Sequence, residues 1–112
     1  MTLFRTDPAL RDGTLLGTVE FIEKPFGNVI TDIPAALIRE AGFRIGGSLS
    51  VEIGSLSLTL PYHRTFGDVG PGEELSLLSS RGKLSFSINQ GDFSRRHGVV
   101  SGEPVKVTVL PR

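Results

Sequence analysis

Hydrophobic and polar residues alternate with a period of two along most of this chain, and glycine or proline repeatedly interrupts the alternation. From Leu15 to Ile22 (LLGTVEFI), positions 15, 17, 19 and 21 fall on one face, the pattern of a half-buried strand. Lys24-Pro25 ends it, Phe26-Gly27-Asn28 reads as a turn or bulge, and Val29-Ile30-Thr31 resumes an extended segment. Pro34 to Ala41 (PAALIREA) is the one convincing helix pattern. Proline suits the first helical position, Asp32 lies just upstream, and Gly42 is a natural stop. After Gly42 the pattern is β throughout. Ser48–Ile53 and Leu56–Leu60 flank Gly54-Ser55 as a hairpin, and Leu75–Ser79 and Leu84–Ile88 flank Ser80-Arg81-Gly82-Lys83 as another. Val105, Val107 and Val109 alternate in a last strand before Pro111.

Six or seven short strands with one short helix predict an all-β fold, a small closed or nearly closed antiparallel β-barrel. Residues 1–13 carry no periodicity and are expected to form an N-terminal arm, leaving residues 14–112 as a single barrel domain. Fourteen Gly and seven Pro among 112 residues fit a turn-rich fold. The 38% hydrophobic content is enough for one modest core.

Charge and cysteine content narrow the function classes. Twelve Lys and Arg balance twelve Asp and Glu, so no net field steers the chain to nucleic acid or an anionic membrane. With no Cys and only His63 and His97, there is no disulfide scaffold, no thiolate metal site and no Cys nucleophile. No apolar run reaches the roughly 18 residues of a membrane span, and the start of the chain does not read as a signal peptide. The expected setting is cytoplasmic, with neither nucleic acid nor membrane as a partner.

Catalytic motifs are missing: the chain has no Walker loop, H-E-x-x-H or G-x-S-x-G sequence. Glu73-Glu74 reads as a solvated loop end and Arg95-Arg96-His97 as a solvated helix face. Three other segments place polar groups where a barrel needs only turns. In Phe26-Gly27-Asn28, glycine permits a tight backbone and the Asn amide offers a donor beside an acceptor, matching an adenine edge. In Ser79-Ser80-Arg81-Gly82, hydroxyls, turn amides and a guanidinium can cradle a carboxylate or phosphate. In Ser87–Asp92 (SINQGD), a strand ends in two amides before a short helical turn, with Asn89 and Gln90 as its candidate caps. Each segment also reads as an ordinary turn. If they are functional, they should converge in space.

Taken in order, GTVEFIEKPFGNVITDIP, HRTFGDVGPGEELSLLSSRGKLSFSINQG and HGVVSGEPVKV resemble the C-terminal domain of the S-adenosyl-L-methionine hydroxide adenosyltransferases, a group that includes fluorinating and chlorinating enzymes. The resemblance runs from about Gly13 to Val109. It is carried by an F-G-N-x-x-T turn, an S-S-x-G loop, an L-x-F-x-x-N-x-G strand end and a G-E-x-V-x-V last strand. It implies a trimeric family whose members pair an N-terminal α/β domain with this barrel, the nucleoside lying at the seam between subunits. On that resemblance Asn28 bonds the adenine edge, Phe26 walls the pocket, and Phe66 stacks on the base. Such stacking is worth about 1–3 kcal/mol. Ser80 and Arg81 hold the amino-acid end, and the backbone around Asn89 and Gln90 closes over the adenine.

The N-terminal α/β region is not among these residues, and the ribose-gripping Asp belongs to it. Asp32 stands where the family usually has Asn, and Ile88 where some halogenating members carry Arg, so a hydrolytic relative fits better. The expected function is the adenosyl-binding domain of a split or truncated hydroxide adenosyltransferase, supplying the adenine pocket and not the nucleophile. A separate α/β partner and homo-oligomerisation, as trimer or dimer, follow from the same resemblance. No cofactor is expected, S-adenosyl-L-methionine being substrate or ligand, and no metal. The alternative is a stand-alone nucleotide-binding or oligomerising barrel without catalysis.

Overall fold

A computed structural model describes residues 7–111. Eight strands, β1 (Ala9–Arg11), β2 (Thr14–Glu23), β3 (Asn28–Pro34), β4 (Ser48–Ile53), β5 (Leu56–Pro61), β6 (Glu74–Leu78), β7 (Lys83–Ile88) and β8 (Pro104–Val109), form one sheet. Two short helices, α1 (Ala35–Glu40) and α2 (Phe93–His97), interrupt them. Seven strands run in the order β5-β4-β8-β2-β3-β7-β6, and every pairing between them is antiparallel. The two end strands meet where Tyr62 bridges Ser76, the Ser76 hydroxyl donates to the Pro61 carbonyl at 2.7 Å, and the His63 amide donates to the Ser76 carbonyl at 3.0 Å. The expected all-β, nearly closed antiparallel barrel is thus the fold observed.

Strands β2 to β8 formed where the alternation placed them, and most bury one side of a period-two stripe, but in β2 the register shift after Val19 puts Ile22, and not the expected Phe21, against the core. Leu15, Val19, Leu49, Val51, Ile53, Val105 and Val107 all point into a single core. β3 and β7 depart from this pattern, with every residue from Asn28 to Ile33 and from Leu84 to Ile88 buried. Their outward positions are covered too, and the pocket described below lies beside them. Asp32, only 3% exposed, takes the Thr18 amide at 2.8 Å and the Thr18 hydroxyl at 3.0 Å. Both bonds tie β3 to β2 beside the irregular register between Val19 and Phe21.

Pro34 caps α1 and is not its first residue. The cap of α2 also differs from expectation: the Asp92 carboxylate, and neither Asn89 nor Gln90, accepts the Arg95 amide at 2.8 Å. Part of the expected arm, residues 1–6, lies outside the described residues, and Ala9–Arg11 pairs with Thr14–Leu16 in a short hairpin. Among the described residues no helix is long and apolar enough to cross a membrane.

Candidate functional site

Four chain segments that are separated in sequence meet at a cleft of about 760 Å³ beside β3, β6 and β7. Phe26, Asn28, Phe66, Ser80, Asn89 and Gln90 all line it, together with Leu77, Leu78 and Ile88. Phe26 is 63% exposed and Phe66 40% exposed, so two aromatic faces are presented to solvent. Arg81, the remaining residue singled out from the sequence, lines a neighbouring concavity that shares Glu23, Ser79 and Ser80 with the cleft.

Each wall is held by specific bonds. Asn28 opens β3 at the Glu23–Asn28 pair, and its Nδ2 donates to Glu23 Oε1 at 2.7 Å. Among the described residues its Oδ1 bonds no protein group, and it is not one of the sealed unpaired atoms. The amide therefore keeps an acceptor and a second N–H for a ligand edge. Asn89 acts differently from a ligand-facing amide: its Nδ2 donates to the Val69 carbonyl at 2.9 Å, its backbone carbonyl takes the Gly72 amide at 2.7 Å, and its amide donates to Glu73 at 3.0 Å. Those three bonds fasten the loop that carries Phe66. Gln90, at φ 58, is one of two non-glycine residues among those described that lie in the left-handed region, a conformation costing about 1–2 kcal/mol. Strained backbone of this kind clusters at ligand sites.

The helical turn α2 braces both aromatic walls, a role the sequence did not reveal. The Ser94 amide donates to the Gly27 carbonyl at 3.0 Å, behind Phe26. On the other side Arg96 Nη1 donates to the Gly72 carbonyl at 3.0 Å and pairs with Glu74 at 3.2 Å. Glu74 also meets His97 Nε2 at 2.5 Å. The pair expected as a solvated loop end and the basic run expected as a solvated helix face thus join across 23 positions. His97 and Glu74 keep only 15% and 20% of their side-chain surface exposed. Phe93, fully buried, packs against Phe86 and anchors the turn in the core. A D-F-x-x-x-H pattern after a strand was the available signal, but alone it reads as an ordinary capped turn.

Chemically, the cleft offers apolar and aromatic walls, one half-satisfied amide, and the carboxylates of Glu23 and Asp92. Among the described residues no group of three or more His, Asp or Glu is placed to hold a metal ion.

The sequence profile of the SAM hydroxide adenosyltransferase C-terminal domain matches residues 17–106, which span all four segments lining the cleft. The chain belongs to that family. It is 36% identical over 108 residues to a fluorinase of Nocardia brasiliensis, covering 94% of this chain and 36% of that protein. It is 34% identical over 106 residues to an (R)-S-adenosyl-L-methionine hydrolase of Thermus thermophilus, covering 95% of this chain and 36% of the relative. A crystal structure of an uncharacterized conserved protein from Thermotoga maritima superimposes with a TM-score of 0.88 at 28% identity, over 96% of this chain and 41% of that one. A conserved hypothetical protein from Thermus thermophilus gives a TM-score of 0.64 at 34% identity, over 97% and 40% of the two chains. The chain therefore spans about a third of the length of the curated relatives it matches. This adenosyltransferase C-terminal domain resembles both halogenating and hydrolytic relatives, and its Ile88 is an apolar wall of the cleft.

Proposed function

We propose that this domain supplies the adenosyl-binding wall of a SAM hydroxide adenosyltransferase, with the nucleophile-positioning groups contributed by an α/β unit outside it. In the reaction hydroxide forms a bond to the 5′ carbon, the bond from that carbon to sulfur breaks, and its electron pair leaves on methionine, giving adenosine. The domain's part is to bind and orient the adenosyl group. One observation carries the reading: Phe26, Asn28, Phe66 and Asn89, from three separate segments, meet at one cleft. Asn28 suits the adenine edge, and Phe26 and Phe66 suit the ring faces. The apolar Ile88 favours water over halide as the co-substrate. The exposed rim of Phe26, Phe66 and Leu78 suits burial against the α/β unit or a second copy of the domain, because apolar patches of this kind mark interaction sites. A homo-oligomer, trimer or dimer, follows.

Calorimetric titration of the full chain with adenosine and S-adenosyl-L-methionine tests this reading. Saturable binding is expected, and Asn28→Ala weakens it by about 1–3 kcal/mol, the cost of leaving a buried polar partner unpaired. A wild-type chain that binds neither compound overturns the proposal.

A further inference from the structure

The loop that carries Phe66 is built from two small turns, each closed by its own carboxylate. In the first, Asp68 accepts the Arg64 and Thr65 amides, both at 3.2 Å, and the Val69 amide returns to the Phe66 carbonyl at 3.3 Å. In the second, Glu73 accepts the Gly70 amide at 2.5 Å and donates its own amide to the Gly70 carbonyl at 3.0 Å. Turns closed in this way hold their local shape. Where the Phe66 ring sits therefore depends on how the second turn is tied to the barrel. Asn89 supplies ties from the end of β7. Arg96 supplies one from α2: its Nη1 donates to the Gly72 carbonyl at 3.0 Å and meets Glu74 Oε2 at 3.2 Å.

The helical turn that carries Arg96 is itself fixed. Phe93 is fully buried, with its ring centroid 6.1 Å from that of Phe86 and 4.6 Å from that of His97. On its other side the Ser94 amide donates to the Gly27 carbonyl at 3.0 Å, next to Phe26. The short helix is thus a rung between the two aromatic walls, with a backbone bond at one end and the Arg96 side chain at the other. That side chain keeps 46% of its surface exposed, so removing it opens no cavity in the core. Its bonds bear on the place of the loop and not on the packing of the barrel.

We infer that Arg96 is a positioning residue for the adenosyl ligand: by tying Gly72 to α2 it holds Phe66 in a set place relative to Phe26, so that both aromatic walls are preorganised before a ligand arrives. The inference rests on the adenosyl reading above. Without the tie, the ligand must order the loop as it binds, and that ordering is subtracted from its affinity.

The test is calorimetric titration of the full chain with adenosine, run beside thermal denaturation, for wild type, Arg96→Gln, Arg96→Lys, Phe66→Leu and the Arg96→Gln/Phe66→Leu double variant. Arg96→Gln is expected to weaken adenosine about two- to tenfold, the range of one net hydrogen bond, with the unfolding midpoint close to that of wild type. Arg96→Lys, which keeps a cationic donor for the Gly72 carbonyl, binds more tightly than Arg96→Gln. In the Phe66→Leu background Arg96→Gln loses most of its effect, because the two residues act through one contact. A general loosening of the fold would instead act alike in both backgrounds. The inference is overturned if Arg96→Gln leaves adenosine affinity intact, if it acts undiminished without the Phe66 ring, or if the chain unfolds enough to explain the weaker binding. In each of those cases wild type still binds adenosine and the proposed function survives, whereas a wild type that binds neither adenosine nor S-adenosyl-L-methionine removes both.

Discussion

Ser87 is 1% exposed, and its hydroxyl is the one buried side-chain oxygen or nitrogen among the described residues without a hydrogen-bond partner. Two residues away on the same face of β7, Ser85 donates to the Leu77 carbonyl at 3.0 Å, so the strand satisfies one hydroxyl and strands the other. A buried hydroxyl left unpaired costs about 1–3 kcal/mol. Ser87→Ala is therefore expected to raise unfolding stability by about 1 kcal/mol in denaturant titration. A loss of similar size would show that the hydroxyl is satisfied after all. Tyr62, the single tyrosine, is 7% exposed and packs edge-on to Phe43. Burial pushes its hydroxyl above the ordinary value of 10.0. The folded chain thus holds that proton more tightly than the unfolded chain. The resulting stability is complete below the unfolded pKa and is lost as pH rises through the folded one. Phenolate absorbance, which reports on this residue alone, should titrate with a midpoint above 10.0. Thermal stability should fall over the same alkaline range, and Tyr62→Phe should flatten that fall.

At the scale of elements, α2 joins the Phe26 turn to the Phe66 loop, and Gly27 is the tightest point of that junction. It has φ 76, and a Cβ there would lie 1.8 Å from Asp92 Oδ1. That same oxygen caps α2 through the Arg95 amide. Gly27→Ala must therefore displace the cap while holding a left-handed backbone, itself a cost of about 1–2 kcal/mol. Thermal denaturation should show a loss of at least that size, together with weaker adenosine binding. Unchanged stability would mean that the turn and α2 move apart freely. The local readings of strands and turns hold up well at this scale. Period-two alternation reports which side of a strand is buried, and glycine and proline report where the chain reverses. Neither says which surface groups will find each other, and so Glu73-Glu74 and Arg95-Arg96-His97 read as two solvated clusters. The Arg96–Glu74–His97 contact exists because the loop after β7 folds back over the start of β6, a consequence of pairing register.

For the whole molecule, a cleft open on one side predicts binding without turnover. Purified chain incubated with S-adenosyl-L-methionine is expected to release no adenosine, since the groups lining the cleft include no base poised beside a nucleophile. Steady release that Arg81→Ala abolishes would overturn this. The apolar rim predicts association, and light scattering at high concentration should give a mass above the monomer. A strictly monomeric profile would count against the rim as an interface.

The sequence by itself determined the positions of β2 to β8, the turns between them, the barrel class and the family, because all of these are written in short-range periodicity and in local motifs such as F-G-N and S-S-R-G, whereas β1 carries no such periodicity. Only the tertiary structure decided how those motifs are deployed. It gathered Phe26, Asn28, Phe66 and Asn89 at one cleft and turned Arg81 onto Phe21. It also made Asp32 a buried tie to Thr18 and Asn89 the fastening of a loop. The partners in each case sit on different strands or loops. Which of them meet depends on strand order and register around the barrel, and no local pattern of hydrophobic and polar residues encodes those.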